Sequence, residues 1–523
     1  MNKNEKRKPL AFIILDGWGV GPKDKKVNAI ETAHTPFFDS LLENYPNTQL
    51  DATGKAVGLE ENQMSGSEAG HLNIGAGRIV KQDVRVILEE ITSGKFFQNP
   101  VFLSTLNQVK KLNSNIHLMG LLGNNDSPHS HPDIFYSLLF LAKKFNLKGK
   151  VFFHFFTDGR DSFPRSAEEH WKKWKKIIDK IGIGELASVS GRFYAMDRTK
   201  NWDRLLESYK ALIEGKGERA RDFGEVVEFN YEKGNVDEYF KPTVIVEDNH
   251  PIVTIKNNDG VIFFNLRSDR ARQFSKLFVG THNEKEEGFP KIDHLNNLSF
   301  VAMTNFGPDL NLKTAYATSP IKCTLPFALS HLRQLYISEE EKYAHVTYFI
   351  NGGYADPVGG EDRVVIDSSN IKSYADKPAM ASIEIAKIVT DNIKFGVYDF
   401  ITINFPNADM VGHTGNFKAV VKAVEILDNH LKNIYQELKK KDGTMIVTAD
   451  HGNADVMVDK ESGRSFTFHT KNPVPFIIAS EDEKIKNLKL KTDGKLANIA
   501  PTILKVLDIY KPEEMTGDDL IID

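Results

Sequence analysis

Short apolar runs alternate along the chain with longer stretches whose apolar positions recur three and four residues apart, the spacings of buried strands and amphipathic helices. The runs at 10–15, 116–122, 151–156, 186–190, 261–266, 298–303, 345–350, 400–404, 445–449 and 475–479 are predicted strands. Helical patterns fall between many of them. The clearest covers 416–440, where Val420, Val424, Leu427, Leu431 and Ile434 form one stripe and Asn416 stands as an N-cap. Its lysine-rich end suits the negative pole of the helix dipole. Such alternation predicts an α/β fold with largely parallel sheets, whose ligands gather beyond the carboxyl ends of the strands.

Candidate chemistry falls at those ends. The run at 445–449 leads into Asp450-His451-Gly452, and the run at 400–404 leads into Asp409 and His413. Neutral imidazole with carboxylate is a donor set for Zn²⁺ or Mn²⁺, and two such pairs suggest two ions acting on one reacting group. Each pair alone is also what a turn with a capping carboxylate looks like. The first strand ends in Asp16-Gly17, where Asp16 is either a turn residue or a further ligand. The segment 63–78 reads as a Gly/Ser-rich loop, and by itself it could be a loop without function.

Composition narrows the choice of partner. With 523 residues and 41% hydrophobic content the chain can bury more than one core, which predicts two or more domains. Its 67 basic and 71 acidic residues leave a net charge of -4, arguing against a nucleic-acid or membrane-surface protein. An anionic substrate would therefore need a local cluster of cations. The single cysteine, Cys323, cannot form an intrachain disulfide and reads as a small buried residue in a reducing compartment. Lys3, Lys6, Arg7 and Lys8 precede an apolar stretch that stops at Asp16, so a strand is expected there rather than a signal peptide. No run approaches the roughly 18 to 20 apolar residues of a membrane helix, and the cytoplasm is the expected location.

Nine motifs in order carry a resemblance over essentially the whole chain: LDGWG (15–19), SEAGHLNIGAGR (67–78), DGRD (158–161), SGRFYAMDR (190–198), NLRSDRA (265–271), GEDR (360–363), DMVGHTGN (409–416), TADHGNAD (448–455) and HTKNPVPF (469–476). The sequence resembles the cofactor-independent phosphoglycerate mutases of the alkaline phosphatase superfamily. The resemblance implies a phosphatase-like dimetal domain with a mostly parallel central sheet flanked by helices, at 1–82 and 317–523. An α/β transferase domain would be inserted at 83–316, an insertion that costs little because loop-closure entropy rises slowly with length. It implies interconversion of 3- and 2-phosphoglycerate in glycolysis and gluconeogenesis, without bisphosphoglycerate, by a monomer.

Carried over residue by residue, one ion belongs to Asp409, His413 and His469 and the other to Asp16, Ser67, Asp450 and His451. Two Mn²⁺ ions are expected, with Zn²⁺, Co²⁺ and Mg²⁺ as alternatives. Ser67 becomes the nucleophile and transient phosphoserine, and Lys342 supplies charge at the phosphoryl group. Arg160, Arg192, Arg198, Arg267 and Arg270 match substrate-binding positions, and guanidinium forks suit carboxylate and phosphate alike. Four of them follow predicted strands. Asp161 and His129 match the remaining substrate contacts, and either could carry the proton to or from glycerate oxygens. Closing the inserted domain over the metal domain is the movement expected to exclude water while glycerate turns.

The chain departs from the pattern in three places. It has GNNDSPHSH (123–131) where relatives carry SDGGVHSH, which loosens the assignment of His129. Ser65-Gly66 stand in place of Gly-Asn, making Ser65 a weaker rival to Ser67, and NLRSDRA lacks the proline of NFRPDRA. The alternatives are a metal-dependent phosphohydrolase, a mutase for another ester, or a non-catalytic phosphometabolite-binding protein. A sulfatase signature is not met at Cys323, which is followed by Thr324, Leu325 and Pro326.

Overall fold

The computed structural model describes residues 8–61, 63–281, 288–307, 309–317, 320–369 and 371–522. Two compact units divide the chain, one made of Met1–Gln82 with Ser319–Asp523 and the other of Asp83–Thr318. Both are α/β. Among the described residues no helix is long and apolar enough to cross a membrane.

The outer unit is built on an eight-stranded sheet in the spatial order Asp362–Ile366, Gln334–Glu339, Phe400–Phe405, Leu10–Leu15, Thr444–Thr448, Val474–Ser480, Asn47–Asp51, Gly494–Lys495. Its first five strands are mutually parallel, and Val474–Ser480 runs antiparallel to both its neighbours. Leu10–Leu15 is buried at every position, which explains an unbroken apolar run where a half-exposed strand would alternate. The helix Phe417–Lys439 covers the sheet with the predicted stripe, and Asn416 caps it by accepting from the Ala419 amide at 3.1 Å.

The inserted unit carries a nine-stranded sheet whose main path is Lys313–Tyr316, Ser299–Thr304, Gly260–Phe263, Ile116–Leu121, Val151–Thr157, Glu185–Gly191, Thr243–Glu247, Glu218–Ala220. Thr243–Glu247 is antiparallel to Glu185–Gly191, and the strands before it in that order are parallel. Aromatic rings fill one face, Phe263, Phe274, Phe278, Phe300 and Phe306 among them.

One predicted strand is corrected. Residues 345–350 are helical, a π-helical turn at His345–Phe349 that continues the helix Glu340–Ala344. His345, Val346, Thr347 and Phe349 are all buried, and a run buried on several sides carries no period by which strand and helix can be told apart. The strand that does lie in this region is Gln334–Glu339, six buried residues whose polar Gln334, Ser338 and Glu339 disguise it.

Candidate active site

Three adjacent parallel strands deliver three carboxylates to one edge of the outer sheet. Leu15 pairs with Phe405 and Ile14 with Thr448, so Asp16 follows directly, Asp409 comes in the short helix Asn407–Gly412, and Asp450 lies two residues past its strand. Their exposures are 0%, 2% and 0%. Gly17 makes the packing possible: its φ is +81°, and a Cβ there would sit 2.7 Å from the Asp409 backbone.

Most of the expected loop at 63–78 is instead a helix, Ser67–Ala76, with Gly66 as N-cap and Ser67 as its first residue. A Cβ at Gly70 would meet the Cβ of Asp450 at 2.8 Å, so glycine lets this helix lie against the Asp450 loop. The Ser67 hydroxyl then stands 3.3 Å from Asp16 Oδ1 and 3.0 Å from His451 Nε2. From the helix after the next strand outward, buried Lys342 donates through Nζ to Ser67 Oγ at 2.6 Å, Asp16 Oδ1 at 2.6 Å and Asp409 Oδ2 at 2.7 Å.

Two further histidines close the cluster. His413 and His469 hold their Nδ1 atoms against the carbonyl oxygens of Thr467 and Ser65, at 2.6 and 2.7 Å. A carbonyl can only accept, so these Nδ1 atoms carry hydrogen and the Nε2 atoms turn to Asp409 Oδ1, at 3.2 and 3.3 Å. The ring of His451 stacks on that of His469 with centroids 3.8 Å apart.

The electrostatics are unbalanced. Three buried carboxylates face one ammonium group. Burial, with the charge of Asp450, pushes Asp16 up to about 6. Burial opposes it, yet Asp409 is held well below the usual carboxylate range, chiefly by Lys342, and Asp450 is held below that range as well. Burial lowers His451 to about 3, so the ring is neutral and has a nitrogen lone pair to offer. Donor atoms of Asp16, Asp450 and His451 lie within 4.8 Å of one another, as do those of Asp409, His451 and His469. Deprotonated oxygen and nitrogen donors with surplus negative charge, out of water, fit divalent cations.

The inserted unit shows the opposite imbalance. Arg192, 3% exposed, donates through Nη1 to Asp158 and Asp161 and through Nη2 to His129 Nε2 at 2.9 Å. Arg198 and Arg267 share Asp269, at 3.0 Å from Arg198 and 3.1 and 3.2 Å from Arg267. Arg160 lies 3.9 Å from Glu238. Burial and the charges of Arg198, Arg160 and Arg192 press Arg270 well below its ordinary value, so an anion is favoured beside it. His129, lowered to about 3 by burial and by Arg192, is neutral. Guanidinium only donates, so its Nε2 accepts and Nδ1 carries the hydrogen; Nδ1 has no hydrogen-bond partner among the described residues.

All the residues singled out in the sequence thus gather in two clusters: Asp16, Ser67, Lys342, Asp409, His413, Asp450, His451 and His469 in the outer unit, and His129, Arg160, Asp161, Arg192, Arg198, Arg267 and Arg270 in the inserted one. The sequence reading gave no part to Asp158, Asp269, His71 or Asn404. The first two sit inside DGRD and NLRSDRA as counter-ions of the arginines, and His71 lies one helical turn after Ser67, a spacing that could have marked it.

Buried carboxylates and imidazoles at the carboxyl edge of a mostly parallel sheet define a metalloenzyme, and residues 8–511 match the Metalloenzyme superfamily. The 2,3-bisphosphoglycerate-independent phosphoglycerate mutase of Clostridium kluyveri is 45% identical over 525 residues, covering 98% of this chain and 99% of that protein. That of Clostridioides difficile is 43% identical over 518 residues with the same coverage. Among solved structures, Leishmania mexicana phosphoglycerate mutase at low cobalt concentration superposes with a TM-score of 0.90 at 29% identity, covering 100% of this chain and 99% of that one. The chain belongs to the 2,3-bisphosphoglycerate-independent phosphoglycerate mutases, isomerases of the metalloenzyme superfamily that take phosphoglycerate as substrate.

Proposed function

We propose that the enzyme interconverts 3-phosphoglycerate and 2-phosphoglycerate by passing the phosphoryl group through Ser67. The observation that carries this reading is the setting of the Ser67 hydroxyl, a buried alcohol 2.6 Å from an ammonium and within 3.3 Å of a carboxylate and an imidazole. Asp409, His413 and His469 would hold one divalent ion, and Asp16, Ser67, Asp450 and His451 a second, with Mn²⁺ the best match to mixed oxygen and nitrogen donors. Bound ions would supply Lewis acidity, lowering the pKa of the Ser67 hydroxyl and drawing charge from the phosphoryl oxygens.

Ser67 Oγ gives up its proton and attacks phosphorus in line, the bond to the glycerate oxygen breaks, and that oxygen takes up a proton, so none is gained or lost overall. Lys342 does not serve as the base. Asp16, Asp409 and Asp450 hold its ammonium above the ordinary lysine value against burial, so it remains a donor and steadies charge on Oγ and the phosphoryl group. The arginines of the inserted unit retain the glycerate carboxylate and orient its hydroxyls, and retention gives the acceptor an effective molarity of roughly 10⁵ M or more over water. Both candidate proton carriers are held by Arg192, His129 through Nε2 and Asp161 through Oδ2, and they lie 3.2 Å apart, so the proton is exchanged within this pair. The acceptor hydroxyl then loses its proton and attacks phosphoserine, regenerating Ser67.

The enzyme is taken to act as a monomer in the cytoplasm. The test is an assay with 3-phosphoglycerate and Mn²⁺, without 2,3-bisphosphoglycerate, following 2-phosphoglycerate and inorganic phosphate together. 2-Phosphoglycerate as the main product supports the mutase; phosphate alone would make the enzyme a hydrolase.

A further inference from the structure

Behind the three carboxylates lies a pair of side chains whose hydrogen bonds run in only one direction. Asn404, at 0% exposure near the end of the strand Phe400–Phe405, has its Nδ2 2.9 Å from Asp16 Oδ2 and 3.0 Å from His71 Nε2. His71, also at 0%, has its Nδ1 2.8 Å from the Ser67 carbonyl oxygen and 3.2 Å from Asp450 Oδ2. The Ser67 carbonyl can only accept, so His71 Nδ1 bears the hydrogen. Nε2, on the far side of the ring, faces the Asn404 amide nitrogen, which can only donate. The second hydrogen of that amide goes to Asp16. A flipped amide would set Oδ1 against the Asp16 carboxylate, so the amide turns its hydrogens to Asp16 and His71.

This fixed chain decides which oxygen Asp16 offers to the reaction. With Oδ2 held by Asn404, Oδ1 is the atom facing Lys342 Nζ, Ser67 Oγ and His451 Nε2, at 2.6, 3.3 and 3.5 Å. His71 ties the same chain to the first turn of the nucleophile helix through the Ser67 carbonyl, and its Nδ1 also lies 3.2 Å from Asp450 Oδ2. We propose that Asn404 and His71 are a positioning pair that presets Asp16, Asp450 and Ser67 as one rigid donor group for a divalent cation. The proposal rests on the metal reading given above, and deepens it by naming what holds one of the two ion sites ready. Neither residue touches the donor group of Asp409, His413 and His469 through any hydrogen bond described, so the effect should be confined to one ion.

Asn404→Leu keeps the approximate volume and removes both donors. Thr402→Val, two residues earlier on the same strand, equally buried and on the same face, is the control for general damage to the core. Mn²⁺ binding to the purified full chain is measured by equilibrium dialysis, without substrate. Loss of an outer partner of this kind costs metal affinity about 10- to 100-fold. The expected result is that loss at one of two ions in Asn404→Leu, with the other ion and the Thr402→Val protein as in wild type. Two wild-type affinities in Asn404→Leu, or equal weakening in both variants, would overturn the proposal. Wild-type protein that binds fewer than two ions refutes the two-ion reading instead. The pair is then judged on the crystal structure of Asn404→Leu: an Asp16 carboxylate turned from Ser67 supports it, and an unmoved one overturns it.

Discussion

The two units bury charge of opposite sign, and each is unfinished without a ligand of the other sign. In the outer unit Asp16, Asp409 and Asp450 face the ammonium of Lys342, which hydrogen-bonds Asp16 and Asp409. In the inserted unit Arg160, Arg192, Arg198, Arg267 and Arg270 gather so closely that Arg270 is pressed below its ordinary value. The nearly neutral net charge conceals both. Buried charge without a partner is costly, so the imbalance in each unit states the chemistry of what it binds: divalent cations in one, a small polyanion in the other. An enzyme that moves a phosphoryl group within a trianionic ester needs both.

Changes at the nucleophile should break the comparison most severely. Ser67→Ala keeps every charged group of both clusters and removes the oxygen assigned to carry the phosphoryl group and to bind the second ion, so activity should drop by roughly 10⁴-fold or more while anion binding by the arginines survives. Steady-state rates together with substrate binding by calorimetry separate the two effects. Divalent removal comes next. Chelation should abolish turnover and lower the melting temperature, since ions at about 1,000 times their Kd contribute about 4 kcal/mol; an unchanged melting curve would contradict a cation-dependent outer unit.

Arg267→Ala acts on the other unit and should change the partition more than the chemistry. Losing one of the two arginines on Asp269 loosens glycerate, so the ratio of inorganic phosphate to isomerised product should rise several-fold; an unchanged ratio at lower total rate would count against retention by the arginines.

Acid is the mildest probe. The folded value of His129, about 3, lies below its unfolded 6.5, so between those limits the unfolded chain holds more protons. Its contribution is fully in place above pH 6.5 and is lost as pH falls towards 3, with a limiting slope of about 1.4 kcal/mol per pH unit. Denaturant midpoints from pH 7 to 4.5 should fall less steeply in His129→Asn than in wild type. Equal slopes would mean that the imidazole is not held neutral.

Most of this was legible in the sequence because strand ends are where parallel sheets place ligands, and Asp16, Asp409 and Asp450 each follow an apolar run. Ser67 and His469 were not legible from pattern, since a serine and a histidine in loops look like any others; only the resemblance singled them out. Lys342 was hidden for another reason. The strand before it, Gln334–Glu339, is interrupted by buried polar residues, whereas the apolar run at 345–350 belongs to a helix buried on several sides. Asn404 was read as the last residue of a strand, and nothing in a linear pattern says that its amide meets Asp16 from a strand 388 residues away. Counter-ions such as Asp158 and Asp269 were likewise invisible, because their role exists only once the arginines converge.

The decisive measurement is where phosphorus resides during turnover. Enzyme with Mn²⁺, quenched in the steady state with phosphoryl-labelled 3-phosphoglycerate and digested, should carry label on the peptide containing Ser67 and on no other, and should carry none after chelation. Label on another residue, or full turnover with no labelled peptide, would contradict a phosphoryl group carried by Ser67.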